Sequence, residues 1–285
     1  MQFVRRYIPS SGFFYLGLTL YAAISTYPFL WMISSALKSN REVYRNKSLI
    51  PNEVHFEVLS DTWNQLDFFK YSLNSVIISL LTVLGIILIY SMAGYGFSKT
   101  RFWGRDIFFV GFLAVLLVPG VSVLIPLVQL VRAMGLTGSD ASQASTYAAL
   151  ILPMVNGAGP FAIFFFRNFF SSLPKELHDA ARVDGCSEWG IYARIFLPLS
   201  TPVIATVGIL NFISSWNSYI LPSILINNSD WFTLPLKLRD LDLQAVIQWN
   251  VRMAGSLIMV IPIILLFIFL QRYYIRGLTA GATKG

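Results

Sequence analysis

Six apolar runs constrain this chain more than anything else in it. They are Phe13–Leu37, Ser72–Phe97, Ile107–Val131, Tyr147–Phe166, Pro202–Ile226 and Ala254–Tyr274. Each is near the roughly 20 residues a helix needs to cross about 30 Å of hydrocarbon. Inside lipid the backbone must satisfy its own polar groups, so each run is expected to be a helix. Only 12% of the 285 residues are charged, against about 25% in globular domains, too few to cover a water-facing surface. The expectation is an all-α, polytopic integral membrane protein with six transmembrane helices, forming one transmembrane domain over residues 1–285.

The net charge of +7 and pI near 9.5 do not point to nucleic acid, because the basic residues sit at the ends of the apolar runs and form no single patch. Orientation follows from that placement. The side holding the N-terminus carries twelve bases, among them Arg5, Arg6, Lys99, Arg101, Arg105, Arg167 and Lys175, against five acids. The opposite side carries nine of each. Both termini are therefore expected in the cytoplasm. Arg5-Arg6 before an apolar run also resembles a signal peptide, but Phe13–Leu37 is long and aromatic, with no small-x-small site after it, and reads as a retained span. The single Cys186 excludes an intrachain disulfide, and His55 and His178 are too few and too far apart to suggest a metal.

The loop Lys175–Pro202 has internal order. It mixes acids, bases and His178 between two apolar runs, so it must lie outside lipid. Pro174 with Glu176 suits a helix start. Asp184-Gly185 breaks the helix, since glycine tolerates the positive φ of a sharp turn. A second helical stretch, Ser187 to Phe196, leads into Leu197-Pro198. Helix, turn, helix is the shape of a docking element.

The fifth run is unusually polar. Asn211, Ser214, Ser215 and Ser218 recur at spacings that share one helix face, with Trp216, Asn217 and Tyr219 among them. They serve either as helix–helix glue or as the lining of a polar path. Trp and Tyr beside amides suit sugar, because an aromatic face stacks on the CH face of a pyranose. Gly94, Gly96, Pro119-Gly120 and Pro126 are expected to permit close packing and kinks, and Asn156–Pro160 a packing kink.

The loop carries Asp179-Ala180-Ala181, three residues, Gly185, nine residues, Ile195, one residue, and Leu197-Pro198. This resembles the EAA motif (EAA-x3-G-x9-I-x-LP) of permease subunits of binding-protein-dependent ABC importers, with Asp179 in place of Glu. The resemblance covers nearly the whole chain. Ser35–Lys38, Asn74-Ser75, Ser98–Phe102, Phe166–Phe170, Thr233–Pro235 and above all the tail Gln271–Gly285 are similar to MalG-type subunits importing oligosaccharides. The resemblance implies a type I ABC importer permease fold in a bacterial inner membrane. It implies a MalF-like second permease, two ATP-binding cassette subunits and an extracytoplasmic sugar-binding protein as partners. Asp179, Ala180, Ala181, Asp184, Gly185, Ile195, Leu197 and Pro198, in the coupling loop 175–202, would engage an ATPase. The tail 277–285, through Thr279, Ala280, Gly281, Lys284 and Gly285, would enter the interface between the two ATPases. Mg-ATP would belong to those partners, since this chain has no GxxxxGK[ST], and no cofactor, metal or catalytic residue of its own is expected. The competing class, a stand-alone secondary transporter or channel, calls for acids or bases within the spans, and the six runs hold almost none beyond their ends.

Overall fold

The computed structural model describes residues 11–138, 140–241 and 248–282, those from 270 on as backbone only. Every regular element among the described residues is helical. In order these are α1 (Ser11–Ala36), α2 (Asn40–Arg45), α3 (Glu57–Gln65), α4 (Phe68–Lys99), α5 (Arg105–Ala114), α6 (Leu124–Ala133) and α7 (Gln143–Ser172). Then come α8 (Lys175–Val183), α9 (Glu188–Ile191), α10 (Leu197–Leu199), α11 (Thr201–Trp216), α12 (Ile220–Leu225), α13 (Leu234–Asp240) and α14 (Trp249–Ala282). Four helices are long and apolar enough to cross a membrane alone, and six spans result if each of two bent pairs counts as one. The chain packs as two compact units, Met1–Phe68 with Leu238–Ile261, and Phe69–Lys237 with Pro262–Gly285.

In the first unit, none of the residues in the apolar stretch of α1 is buried within the chain. A helix apolar all round needs lipid or another subunit against it. At its end the chain turns inward: Ala36 and Lys38 are fully buried. A buried ammonium is costly unless its protons are taken up. Lys38 Nζ donates to Asn46 O at 3.2 Å and Ser48 O at 2.6 Å, and lies 5.4 Å from the Trp31 ring centre. Glu42 accepts the Asn52 N–H at 2.7 Å and the Asn46 amide at 2.9 Å, and these bonds hold its carboxyl below the usual range. The Trp249 N–H donates to Asn40 Oδ1 at 2.9 Å, tying the start of α14 to α2.

In the second unit, α4 and α7 approach closely where glycine removes a side chain. A Cβ on Gly94 would stand 2.5 Å from Phe166 Cβ, and one on Gly159 would stand 2.7 Å from the Tyr90 ring. Gly94 thus serves the close packing expected of it, whereas Gly96 and Gly120 face open space and do not. At the end of α4 opposite Lys99, Asn74 Nδ2 donates to Asp230 O and Phe232 O, its Oδ1 accepts Tyr147 OH at 2.6 Å, and Ser75 Oγ accepts the Leu234 N–H at 2.7 Å. The Asn74-Ser75 pair therefore holds the segment leading into α13 against α4 and α7.

Two spans depart from the single helices expected. The third breaks at Val118-Pro119, and its halves meet at 93°. Pro119 lacks an N–H and pushes Val118 to extended backbone, so the helix stops there instead of kinking. Pro126 lies in the first turn of α6, where its missing N–H costs nothing. The fifth run ends as a helix at Trp216 and resumes as α12. Asn217 uses both its backbone N–H (3.1 Å) and its side-chain amide (2.9 Å) on Ile213 O, a local bond that competes with continuing the helix. The fourth run stays helical through Pro153 and Pro160. The sixth is longer than expected, Trp249–Ala282.

Candidate coupling element and cavity

The loop after α7 folds as its residues suggest. Pro174 is extended and opens α8, with Glu176 in the first turn and Arg182 in the last. The helix closes at Gly185, whose φ is +79°. The Cys186 N–H donates to Ala181 O at 3.0 Å and the Gly185 N–H to Arg182 O at 3.1 Å. This pair of bonds is the Schellman closure, which requires a left-handed residue at Gly185. Ser187 Oγ then accepts the Gly190 N–H at 3.2 Å and starts α9. Tyr192–Phe196 widens into a π turn, the Leu197 N–H reaching back to Tyr192 O. Pro198 cannot donate to the carbonyl four residues back, and π turns of this kind are often found at functional positions. Ser200 Oγ and Thr201 Oγ1 bond back to Leu197 O and Pro198 O, both at 2.7 Å, where the chain bends by 73° into α11.

The inner face of this element belongs to the same core as the spans. Ala181, Ile191, Tyr192 and Phe196 pack with Tyr95 of α4, Phe166 and Phe170 of α7, and Val203 and Val207 of α11. A polar chain runs through that core. Tyr95 OH donates to Glu188 Oε2 at 2.9 Å, His178 Nε2 lies 3.1 Å from the same oxygen, and Tyr192 OH meets Ser91 Oγ at 2.7 Å. Lys99 Nζ donates to Leu173 O at 3.0 Å and sits over the Phe196 ring. The loop is therefore packed directly against α4, α7 and α11 through buried side chains.

The outer face is different. Asp179, Ala180, Asp184, Gly185, Cys186 and Pro198 are exposed, while Ile195 and Leu197 are half-buried. Val183 is 87% exposed and Trp189 61%, large apolar surfaces in a loop too polar for lipid. The sequence pattern passed over both, although an apolar residue in so charged a stretch is a signal. Ala181 departs from the expected role: it is buried within this chain and supplies close packing against its own core. Asp179 lies 3.7 Å from both Lys175 Nζ and His178 Nδ1. Exposed pairs of this sort are worth about 1 kcal/mol or less, so Asp179 can exchange its partner for another cation.

Asn211, Ser214, Ser215 and Ser218 do share one surface. They line a cavity of about 330 Å³ together with Thr82 of α4 and Met154, Gly157, Ala158 and Phe161 of α7. Trp216, Asn217 and Tyr219 do not line it. Trp216 is fully buried and stacks on Phe212, Asn217 folds back on Ile213, and Tyr219 points elsewhere, 39% exposed. Of the tail, Thr279, Ala280 and Gly281 fall on the backbone of α14, while Lys284 and Gly285 lie outside the described residues.

Tyr95→Phe and Glu188→Gln test the polar chain. Tyr95→Phe removes the charged hydrogen bond to Glu188, worth about 1.5–3 kcal/mol before its partial exposure is discounted, while Glu188→Gln keeps an acceptor for Tyr95 and removes the charge. The expected outcome is a normally inserted protein whose loop is cleaved several-fold faster by an added protease. Wild-type rates in both variants would mean that the bond does not position the loop.

Residues 85–280 match the family described as "Binding-protein-dependent transport system inner membrane component". The chain is 37% identical over 269 residues to "Probable ABC transporter permease protein YurM" of Bacillus subtilis, covering 94% of this chain and 87% of the relative. It is 36% identical to "Arabinooligosaccharides transport system permease protein AraQ" of Halalkalibacterium halodurans, covering 95% of each. In fold it is similar to a chain of a bacterial ABC transporter involved in the import of the acidic polysaccharide alginate, with TM-score 0.80, 21% identity, and coverage of 94% of this chain and 99% of that one.

Proposed function

From the premise that this chain belongs to the binding-protein-dependent transport system inner membrane component family, we propose how it works. It is the membrane-spanning permease subunit of an ATP-driven, binding-protein-dependent importer of sugars; two of its relatives are named as permease proteins of arabinooligosaccharide and galactooligosaccharide transport systems. It works with a second permease, ATPase subunits and a binding protein, here a MalF-like subunit, two ATP-binding cassette subunits and an extracytoplasmic sugar-binding protein. Both termini and the loop 175–202 face the cytoplasm. Mg-ATP is bound by the partners alone.

One observation supports the coupling role most directly. The loop has an inner face packed into the spans and an apolar outer face, Val183 and Trp189, that the described residues leave largely exposed. An ATPase cleft that receives Val183 and Trp189, with Ala180 allowing close approach and Asp179 meeting a cation, completes it. The helix α14 carries the tail, through Thr279, Ala280, Gly281, Lys284 and Gly285, toward the ATPase interface. Co-expression with the ATPase tests this. Val183→Glu should abolish recovery of the ATPase on purification, whereas a chain ending at Leu278 should recover it with weaker sugar-stimulated hydrolysis. Full recovery with Val183→Glu would remove the loop from the interface.

The exposed Cys186 reports orientation and docking together. A membrane-impermeant thiol reagent should label it only after the membrane is opened, and more slowly in the assembled complex. Cysteines placed in Lys38–Lys70, in a Cys186→Ser background, should label from outside. Labelling of Cys186 in intact cells would invert the topology.

A further inference from the structure

The cavity between α4, α7 and α11 has a chemistry that says what it admits. Its polar lining consists of the Thr82, Ser214, Ser215 and Ser218 hydroxyls and the Asn211 amide, and no lining residue is charged. Thr82 is 2% exposed, and its Oγ1 has no hydrogen-bond partner. A buried hydroxyl left unpaired costs about 1–3 kcal/mol, which a ligand able to pair with it recovers. Ser215 Oγ has only the sulfur of Met154, at 3.4 Å, a weak acceptor. Asn211 spends its Nδ2 on Val207 O at 2.8 Å and keeps its carbonyl oxygen free of that bond. The lining thus offers hydroxyls, which both donate and accept, and an amide acceptor. That is the complement of a polyol.

The apolar part fits the same ligand. Phe161 supplies an aromatic wall, its ring held by Phe165 at a centroid distance of 4.5 Å. Gly157 has nothing within 4 Å of where a Cβ would stand, so the backbone of α7 is open to close approach there. The platform expected of Trp216 and Tyr219 comes instead from a different helix. Small-molecule sites run from about 300 to 1,000 Å³, and 330 Å³ suits one sugar ring rather than a chain. A carboxylate or phosphate entering here would meet no cation and would be stripped of water without compensation.

We infer that this cavity is a subsite for a single uncharged sugar ring, with Phe161 against its CH face and Thr82, Asn211 and Ser215 on its hydroxyls, so that this subunit selects neutral over acidic saccharides. The inference rests on the permease reading, since it makes the cavity a station on the import path. Its test is direct binding, with assembly and ATP hydrolysis scored separately. The permease pair with its ATPases, in nanodiscs without the binding protein and without ATP, is titrated with neutral probes (arabinotriose, galactotriose and lactose) and with a diuronate. At least one neutral probe should bind, and the diuronate should not. Thr82→Val, which keeps the shape and loses the hydroxyl, should weaken the neutral probe about ten-fold in a complex that still assembles with its ATPases, in the range expected for one buried hydrogen bond. Should Thr82→Val assemble poorly, Ser214→Ala at the exposed rim should weaken the same probe by a smaller factor in an intact complex. Equal binding of the diuronate, no binding of any neutral probe, or unchanged affinity in intact variants would overturn the subsite. Failure of the wild-type chain to assemble with an ATPase would instead overturn the permease reading, and binding to the isolated permease pair would still report on the cavity.

Discussion

Proline at Gly185 is expected to reduce sugar uptake to background while leaving the subunit in the membrane. The closing residue of α8 holds φ at +79°, which proline cannot adopt, and its N–H donates to Arg182 O at 3.1 Å, which proline cannot supply. The Cys186 bond to Ala181 depends on the same geometry, so the turn that sets α9 against α8 is lost as a whole. Alanine is the informative control. A Cβ at Gly185 meets nothing within 4 Å, so only the cost of left-handed backbone remains, about 1–2 kcal/mol. Gly185→Ala should therefore lower uptake partially, and Gly185→Pro completely. Uptake assays in liposomes, with membrane content checked by immunoblot, decide it. Normal uptake by the proline variant would falsify the coupling role of this turn.

The second large effect is expected at Gly94, and it concerns folding. A Cβ there would stand 2.5 Å from Phe166 Cβ and 2.9 Å from the Arg167 backbone nitrogen. Neither atom belongs to the far end of a flexible side chain, so α4 and α7 must separate for any larger residue. Overpacking of this kind costs about 1–3 kcal/mol for small additions and more for large ones. Gly94→Ala should lower the unfolding temperature measurably, and Gly94→Val should abolish the monodisperse peak in detergent. Two residues away, Gly96 faces open space. There Gly96→Ala should be neutral or slightly stabilising, because alanine narrows the unfolded ensemble. Equal losses at both positions would show that the α4–α7 approach at Gly94 does not govern this region.

These two glycines mark how the evidence divides. Gly185 was legible in the sequence because its role is local: an acid and a glycine after a short helical run specify a turn by backbone conformation alone. Gly94 and Gly96 look alike in the sequence, and nothing local separates them. Only the position of α7 decides that one touches Phe166 and the other touches nothing. The breaks in the third and fifth spans lie between these cases. Pro119 and Asn217 were visible, but whether a proline kinks a helix or ends it depends on what packs around it. Pro153 and Pro160 stay inside α7 while Pro119 stops its helix.

The functional surfaces divide in the same way. Apolar run length, the asymmetry of basic residues and the Asp179–Pro198 spacing are one-dimensional properties; the first carried the helical membrane class, and the other two carry the proposals of orientation and of a coupling loop. The polar face of Asn211, Ser214, Ser215 and Ser218 was also readable, since helix periodicity alone brings those residues together. What that face meets was not. Thr82 and Phe161 reach the cavity from other helices, at positions well before Asn211 in the chain, and Trp216, the aromatic residue expected there, turns into the core against Phe212. Likewise, Ala180 and Ala181 are indistinguishable in the motif, yet a 100° step around α8 puts one in solvent and the other in the core. Sequence determines what each segment is able to do by itself, through backbone preference, length and periodicity. Which of its faces meets another segment is decided only when distant helices pack, because contacts between them have no counterpart in the order of the chain.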